Sequence, residues 1–282
     1  MSLVPLLEAP SWETSLRSTA ELTAVAGQLH EDSPMTVLHT EAGAAEVRLA
    51  AMDRLRTAGL RVRPVLAARR LQSAAELSGL LGALVTERGI REVFLAGGDL
   101  PAPLGPYRSG LSVIESGALE GLGTEGRGLD LVGVPGHPAG HPVVSGNELM
   151  SSLVRKLSAL EARGFSTEIT TQITLDPAAV ATWLQAVRGR GITAQVRIAV
   201  PRPAAVESLL AFCRARSVQT SPAELERCGW LQPGAPRLAD PSHFLRALVR
   251  EAGTDLEGAR LHICPMGNPG AALAWLRSMA SA

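Results

Sequence analysis

Apolar and polar positions along this chain follow two alternating patterns. Short, continuous apolar runs stand at 3–9 (LVPLLEA), 35–40 (MTVLHT), 60–68 (LRVRPVLAA), 91–98 (REVFLAGG), 129–136 (LDLVGVPG), 166–176 (STEITTQITLD), 192–200 (ITAQVRIAV) and 259–267 (ARLHICPMG). Between most of them lie longer stretches with apolar residues three or four apart, at 13–29, 44–59, 73–89, 147–164, 176–191 and 268–281. Gly59 occupies a helix C-cap position, and Ser73 with Glu76 three residues on has the form of a capping box. Eight strands alternating with helices predict a single (β/α)8 TIM barrel over residues 1–282, in preference to a doubly wound open sheet. The stretch 214–244 breaks the alternation and predicts an irregular insertion after strand seven. No internal repeat, low-complexity tract or interdomain linker interrupts the pattern.

In such a barrel the reactive groups gather at the C-terminal ends of the strands. That rule nominates Glu8 after strand one, His39 to Glu41 after strand two, Arg69 after strand three and Asp99 after strand four. His137 and His141 follow strand five, Gln172 lies in strand six, and Arg202 and Asn268 follow strands seven and eight. Asp99 sits in FLAGGDLPAP, where Gly97 and Gly98 permit close backbone approach to a ligand and Pro101 and Pro103 stiffen the exit. Capping of the next turn is its competing role. Gln172 interrupts a run of strand formers, and its amide needs partners, from a planar heterocycle or from a neighbouring strand. Glu8 at the end of an apolar run has the makings of a general acid if buried, and of a plain loop carboxylate if not.

His137 and His141 belong to VGVPGHPAGHP, whose prolines forbid a regular helix, and no acid-rich segment completes a metal site. The run suits a rigid loop against a planar ligand, with the histidines donating to ribose or phosphate. There is no GxSxG, no P-loop and no GxGxxG following a strand. Lys plus Arg number 27, as do Asp plus Glu, so bulk charge recruits neither nucleic acid nor a membrane surface. Aromatics are 3% of residues, too few for base-stacking platforms. Cys213, Cys228 and Cys264 are widely spaced and odd in number, which predicts reduced, packed thiols. The N-terminus lacks the features of a signal peptide and no apolar run reaches the roughly 20 residues of a membrane span, so a cytoplasmic location is expected.

Four of these runs, in order, resemble the methylenetetrahydrofolate reductase family: LLEAP, GGDLP, HPAGHP and TQITLD. The resemblance implies a (β/α)8 barrel with FAD at its C-terminal face. NAD(P)H would reduce the flavin, which passes a hydride to 5,10-methylenetetrahydrofolate to give 5-methyltetrahydrofolate. Under that resemblance Glu8 is the general acid, Asp99 is catalytic and binds the pterin beside the flavin, and Gln172 contacts pterin and nicotinamide. Asn268 stands near the position that meets the folate tail. His39, Thr40, Gly98, Asp99, His137, His141 and Lys156 form the implied cofactor-binding set, and no metal is implied. The pattern also departs from the family. The Arg before GDLP is Gly97 here, and the Tyr opening the fifth-strand loop is His137. The basic pair for the flavin phosphates has its nearest counterpart in Arg155 and Lys156, one helical turn early. The alternative is therefore a folate-binding barrel with weak or lost FAD binding, either a flavin-independent reductase or a non-catalytic partner protein. Homo-oligomer formation is compatible with either.

Overall fold

The computed structural model describes residues 3–39, 45–122, 128–142, 144–232 and 235–281. Eight parallel strands close into a barrel: β1 (Ser11–Thr14), β2 (Pro34–Val37), β3 (Arg61–Ala67), β4 (Glu92–Ala96), β5 (Leu131–Gly136), β6 (Ser166–Thr171), β7 (Gln195–Pro201) and β11 (Arg260–Cys264). Their order around the ring is β1-β11-β7-β6-β5-β4-β3-β2, the (β/α)8 arrangement that the sequence pattern predicts. The remaining strands, β8 (Ala204–Ala205), β9 (Leu231–Gln232) and β10 (Ala235–Ala239), form a separate three-stranded sheet within the insertion after β7.

Seven of the eight expected strands lie close to their apolar runs. The first does not. Residues Val4–Leu7 form a short helix, α1, and β1 begins only at Ser11. The run VPLL is continuous rather than alternating, so its pattern suits a buried helical turn as well as a strand. Pro5 decides the matter, because its fixed φ and missing N–H are tolerated in a helix's first turn. Thr14 closes β1, so the stretch from residue 13 is not one helix. It resolves into 3-10 turns at Leu16–Ser18 and Ala26–Gln28 around a short α2 (Thr19–Thr23).

The other helices are α3 (Ala45–Thr57), α4 (Ala74–Leu81), α5 (Gly110–Glu115), α6 (Gly146–Glu161), α7 (Pro177–Arg188), α8 (Val206–Arg214), α9 (Pro222–Arg227), α10 (Ser242–Ala252) and α11 (Pro269–Ala280). The expected punctuation is present. Gly59 adopts φ +78° two residues beyond α3. The Ser73 hydroxyl accepts the Glu76 N–H at 3.0 Å, while the Glu76 carboxylate reaches back to the Gln72 N–H rather than to Ser73.

By packing, the chain divides into two compact units, Glu13–Pro135 with Val144–Ile169, and Met1–Trp12 with Gly136–Val143 and Thr170–Ala282. In the unit containing β2 to β4, the register pairs Met35 with Val62, Val65 with Phe94 and Val93 with Val132. Near the strand N-termini the interior is ionic. Arg63 is fully buried and donates to Glu92 at 3.0 and 3.1 Å and to Glu168, while Arg61 also pairs with Glu92. Two carboxylates are tolerable there because one guanidinium bridges them.

In the other unit, β11 pairs with β7 from Arg260↔Arg197 to Cys264↔Pro201, and β1 joins β11 through Ser11↔His262. The Ser11 hydroxyl meets His262 Nδ1 at 2.7 Å, and Arg197 donates to the Ala9 carbonyl at 3.1 Å. The insertion packs inward through Trp230, which is fully buried, donates to the Leu175 carbonyl at 2.8 Å and lies 5.2 Å from the Phe244 ring. Cys213, Cys228 and Cys264 are buried, as expected of packed thiols.

Candidate functional site

The loop FLAGGDLPAP leaves β4 and is wired to the end of β3 by two consecutive arginines. The Arg69 N–H donates to the Gly97 carbonyl at 2.9 Å, and its guanidinium donates to the carbonyls of Leu100 and Arg108, each at 3.0 Å. Arg69 is thereby committed to holding the loop. Gly98 takes φ +94°, a conformation that suits glycine, and a Cβ there would stand 3.5 Å from the Ala67 Cβ. Gly97 has no such constraint and meets nothing nearby. The turn after Gly98 delivers Asp99 to Arg70. Arg70 Nε and Nη2 donate to the two carboxylate oxygens at 2.9 Å each. That bond is the main reason the Asp99 carboxyl is held below the usual carboxylate range. Asp99 remains 61% exposed on its side chain, so its free lone pairs face solvent. It is an anchored anion, not a cap.

His39 follows β2, whose pairing continues through the Leu38 N–H to the Thr14 carbonyl at 2.9 Å. Its imidazole is pushed down to about 4, first by burial, then by the positive charges of Arg48 and Arg70, with Asp99 opposing. His39, Arg48, Arg70 and Asp99 therefore share one electrostatic neighbourhood. The sequence gives no sign of a role for Arg48, nor of the pairing between Arg70 and Asp99. Arg48 sits in a helix and reads as a surface residue, and the role of Arg70 appears only once β3 lies beside β4. The sequence signal was the tandem RR after an apolar strand.

A second polar group lies in the other unit. Gln172 stands one residue past β6, where its N–H donates to the Gly136 carbonyl at 2.8 Å and its side-chain amide to the Gly140 carbonyl at 3.0 Å. The amide's partner is thus loop backbone rather than a strand side chain. His137 and His141, on the same loop, face each other edge-on with ring centroids 6.2 Å apart. Asn268 caps α11, its side-chain oxygen accepting the Ala271 N–H at 2.9 Å. Arg202 donates to the carbonyls of Pro265 and Pro203.

Two expected site residues lie elsewhere. Glu8 precedes β1 instead of following it, and pairs at 3.3 Å with Arg260, the first residue of β11. It therefore belongs to the N-terminal end of the strands and is 63% exposed, not a buried acid at the reactive end. The cause is the register of the first strand. The acid that this strand does carry is Glu13, half-buried, on the face of β1 that it shares with Ser11. Lys156 lies on the buried face of α6 with Leu153, Leu157 and Leu160, ten residues and about 15 Å along the helix from its start. Burial pushes its ammonium down to about 8. Thr40 lies outside the described residues.

The basic residues nearest the family's phosphate-binding pair are engaged elsewhere. Lys156 is buried among leucines, Arg69 is taken up by carbonyls, and the exposed Arg155 stands 3.6 Å from Glu115.

No protein-family model matches the chain. Among solved structures, the fold is similar to an uncharacterized protein from Clostridium thermocellum that binds two copies of 5-methyl-5,6,7,8-tetrahydrofolic acid. The TM-score is 0.64 at 9% sequence identity, over 99% of this chain and 99% of that one. Among the described residues, no helix is long and apolar enough to cross a membrane.

Proposed function

We propose that this chain is a reduced-folate-binding barrel in which Asp99 recognises the pterin ring. The observation that carries the reading is the Asp99–Arg70 pair at the C-terminal ends of β4 and β3. A pterin offers N–H and amino donors, which can meet the carboxylate lone pairs that the Arg70 fork leaves open. Asp99 is suited to the task because Arg70 keeps it ionised while leaving it lone pairs. The folate bound by the C. thermocellum protein of similar fold supports the ligand class.

The test is calorimetric titration of the protein with 5-methyltetrahydrofolate, beside Asp99→Asn. The expected result is saturable binding that weakens about tenfold or more in the variant, in keeping with loss of a charge-assisted pair. Absence of binding, or equal binding by both proteins, overturns the assignment.

A second reading is favoured by Glu13, an acid one residue from the C-terminal end of β1. In it the barrel transfers a hydride from NAD(P)H to methylenetetrahydrofolate, with Glu13 in the proton-donating role that the resemblance gave to Glu8. That reading expects oxidation of NADH or NADPH dependent on methylenetetrahydrofolate, largely lost in Glu13→Gln and retained in Glu8→Gln. A band between about 350 and 500 nm in the purified protein would restore the flavin to the scheme.

A further inference from the structure

Arg48 is a buried arginine without a hydrogen-bonding partner among the described residues. It is 4% exposed, yet among the described residues it makes no hydrogen bond and no ion pair, and its Nη2 is sealed from solvent without an acceptor. Buried guanidinium groups are ordinarily paired, because desolvating a charge costs several kcal/mol. Glu76 acts on it only at a distance, since that carboxylate is bonded to the Gln72 N–H at 2.6 Å. His39 shows the same deficit nearby, with Nδ1 buried and unpartnered. Two orphaned nitrogens in one neighbourhood describe a site for negative oxygen, beside an Arg70–Asp99 pair whose charges offset each other. Arg48 also lies in the first turn of α3, where the helix dipole adds to the attraction.

We propose that Arg48 and His39 form an oxyanion-binding site, taking a carboxylate or phosphate group of a ligand. The guanidinium supplies charge and a planar pair of donors. The neutral imidazole supplies an Nδ1–H donor when the proton is carried on that nitrogen. The negative group on the ligand neutralises a charge that, among the described residues, only Glu76 offsets, and only at a distance. Two ligand sources share this chemistry: the glutamyl carboxylates of a folate tail, and the phosphates of a nucleotide. The inference stands apart from the pterin assignment, because inorganic phosphate alone tests it.

The experiment compares thermal unfolding of the wild-type chain and Arg48→Met in phosphate-free buffer and across a phosphate titration. Wild type gains about 3 °C or more, saturably, at high phosphate, and Arg48→Met gains nothing. In phosphate-free buffer Arg48→Met melts at the same temperature or higher, because the substitution removes an unpaired buried charge. A variant that melts several degrees lower without phosphate identifies a purely structural arginine and overturns the proposal. So does a wild type without saturable response, or a variant that responds equally. Should the variant fail to fold, the His39 imidazole resonances of the wild type decide: they move with phosphate if the site exists and stay fixed if it does not. Phosphate displacement by ADP assigns the nucleotide source. A gain of about tenfold for tri- over monoglutamyl tetrahydrofolate, confined to proteins with Arg48, assigns the carboxylate source. Folate binding sensitive to Asp99→Asn but indifferent to Arg48 and phosphate overturns the oxyanion site and leaves the pterin assignment standing.

Discussion

Arg70 and Asp99 close a two-pronged ion pair, 2.9 Å on each arm, across the adjoining ends of β3 and β4. The pair fastens a glycine-rich loop whose other end is held by Arg69 to three backbone carbonyls counting that of Gly97. One arginine positions the loop and the next sets the charge state of its acid.

Removing Arg70 should act on binding through pH. In the wild type the Asp99 carboxyl lies below its ordinary range, so it stays ionised through mildly acidic conditions. In Arg70→Gln its titration rises toward that of a free carboxylate, and folate affinity should begin to fall at a higher pH. The stability cost should be small, about 1 kcal/mol or less, because the pair is largely exposed on the acid side. Calorimetric titration between about pH 4 and 8, with parallel urea unfolding, checks both. Superimposable pH profiles for the two proteins would refute the coupling.

His39 should make the protein sensitive to acid. Its folded-state value is about 4 against 6.5 for the free side chain, so the unfolded chain binds more protons between these values. Its effect on stability is therefore constant above about pH 7 and increasingly unfavourable as pH falls toward 4. The full shift corresponds to about 3 kcal/mol, and partial access to water brings the expected effect nearer 2. Urea unfolding of the wild type and His39→Gln at pH 7.5 and pH 4.5 measures it. The variant should lose less stability over that interval, by roughly this amount.

Arg63 should be indispensable to folding in a way that Arg48 is not. It bridges Glu92 and Glu168 from a fully buried position, and Arg63→Met removes the buried charge that the two carboxylates share, although Arg61 still pairs with Glu92. The expected loss is about 3–5 kcal/mol, read as a fall in the urea midpoint at unchanged slope. The triple change Arg63→Met, Glu92→Leu, Glu168→Leu should recover much of it, since the partner it removes from a remaining charge is that of the part-exposed Arg61. No recovery would point to packing rather than charge.

Gly98→Ala should test the loop's geometry. The nearest contact to an added Cβ is an ordinary 3.5 Å, so the penalty comes from holding alanine at φ +94°. That costs about 1–3 kcal/mol, and any relief of it moves Asp99 off Arg70. Gly97→Ala, with no contact and no positive φ, should be close to neutral. Equal effects at the two glycines would contradict this account.

The legible part of this protein follows from local pattern. Apolar runs marked seven barrel strands, Ser73 and Gly59 marked helix ends, and the GGDLP run marked Asp99, because caps, turns and periodicity depend on neighbours in sequence. The first strand was misread where that logic is weakest. A four-residue apolar run carries no period, and only packing distinguishes a buried helical turn from a strand. With the register moved, Glu8 passed from the reactive end to the opposite end, and Glu13 took its place in the strand.

By itself the sequence determined the alternation of strands and helices, hence a (β/α)8 barrel, and the rigid turn that carries Asp99. Only the tertiary structure decided which charges act together. Arg70 lies 29 residues from Asp99, Arg63 lies 105 from Glu168, and neither pairing is written in a local pattern. That Arg48 Nη2 is buried without an acceptor among the described residues is likewise a tertiary fact. Whether a charge is paired depends on which groups the closed sheet brings within a few ångströms, and on how far burial strengthens their fields.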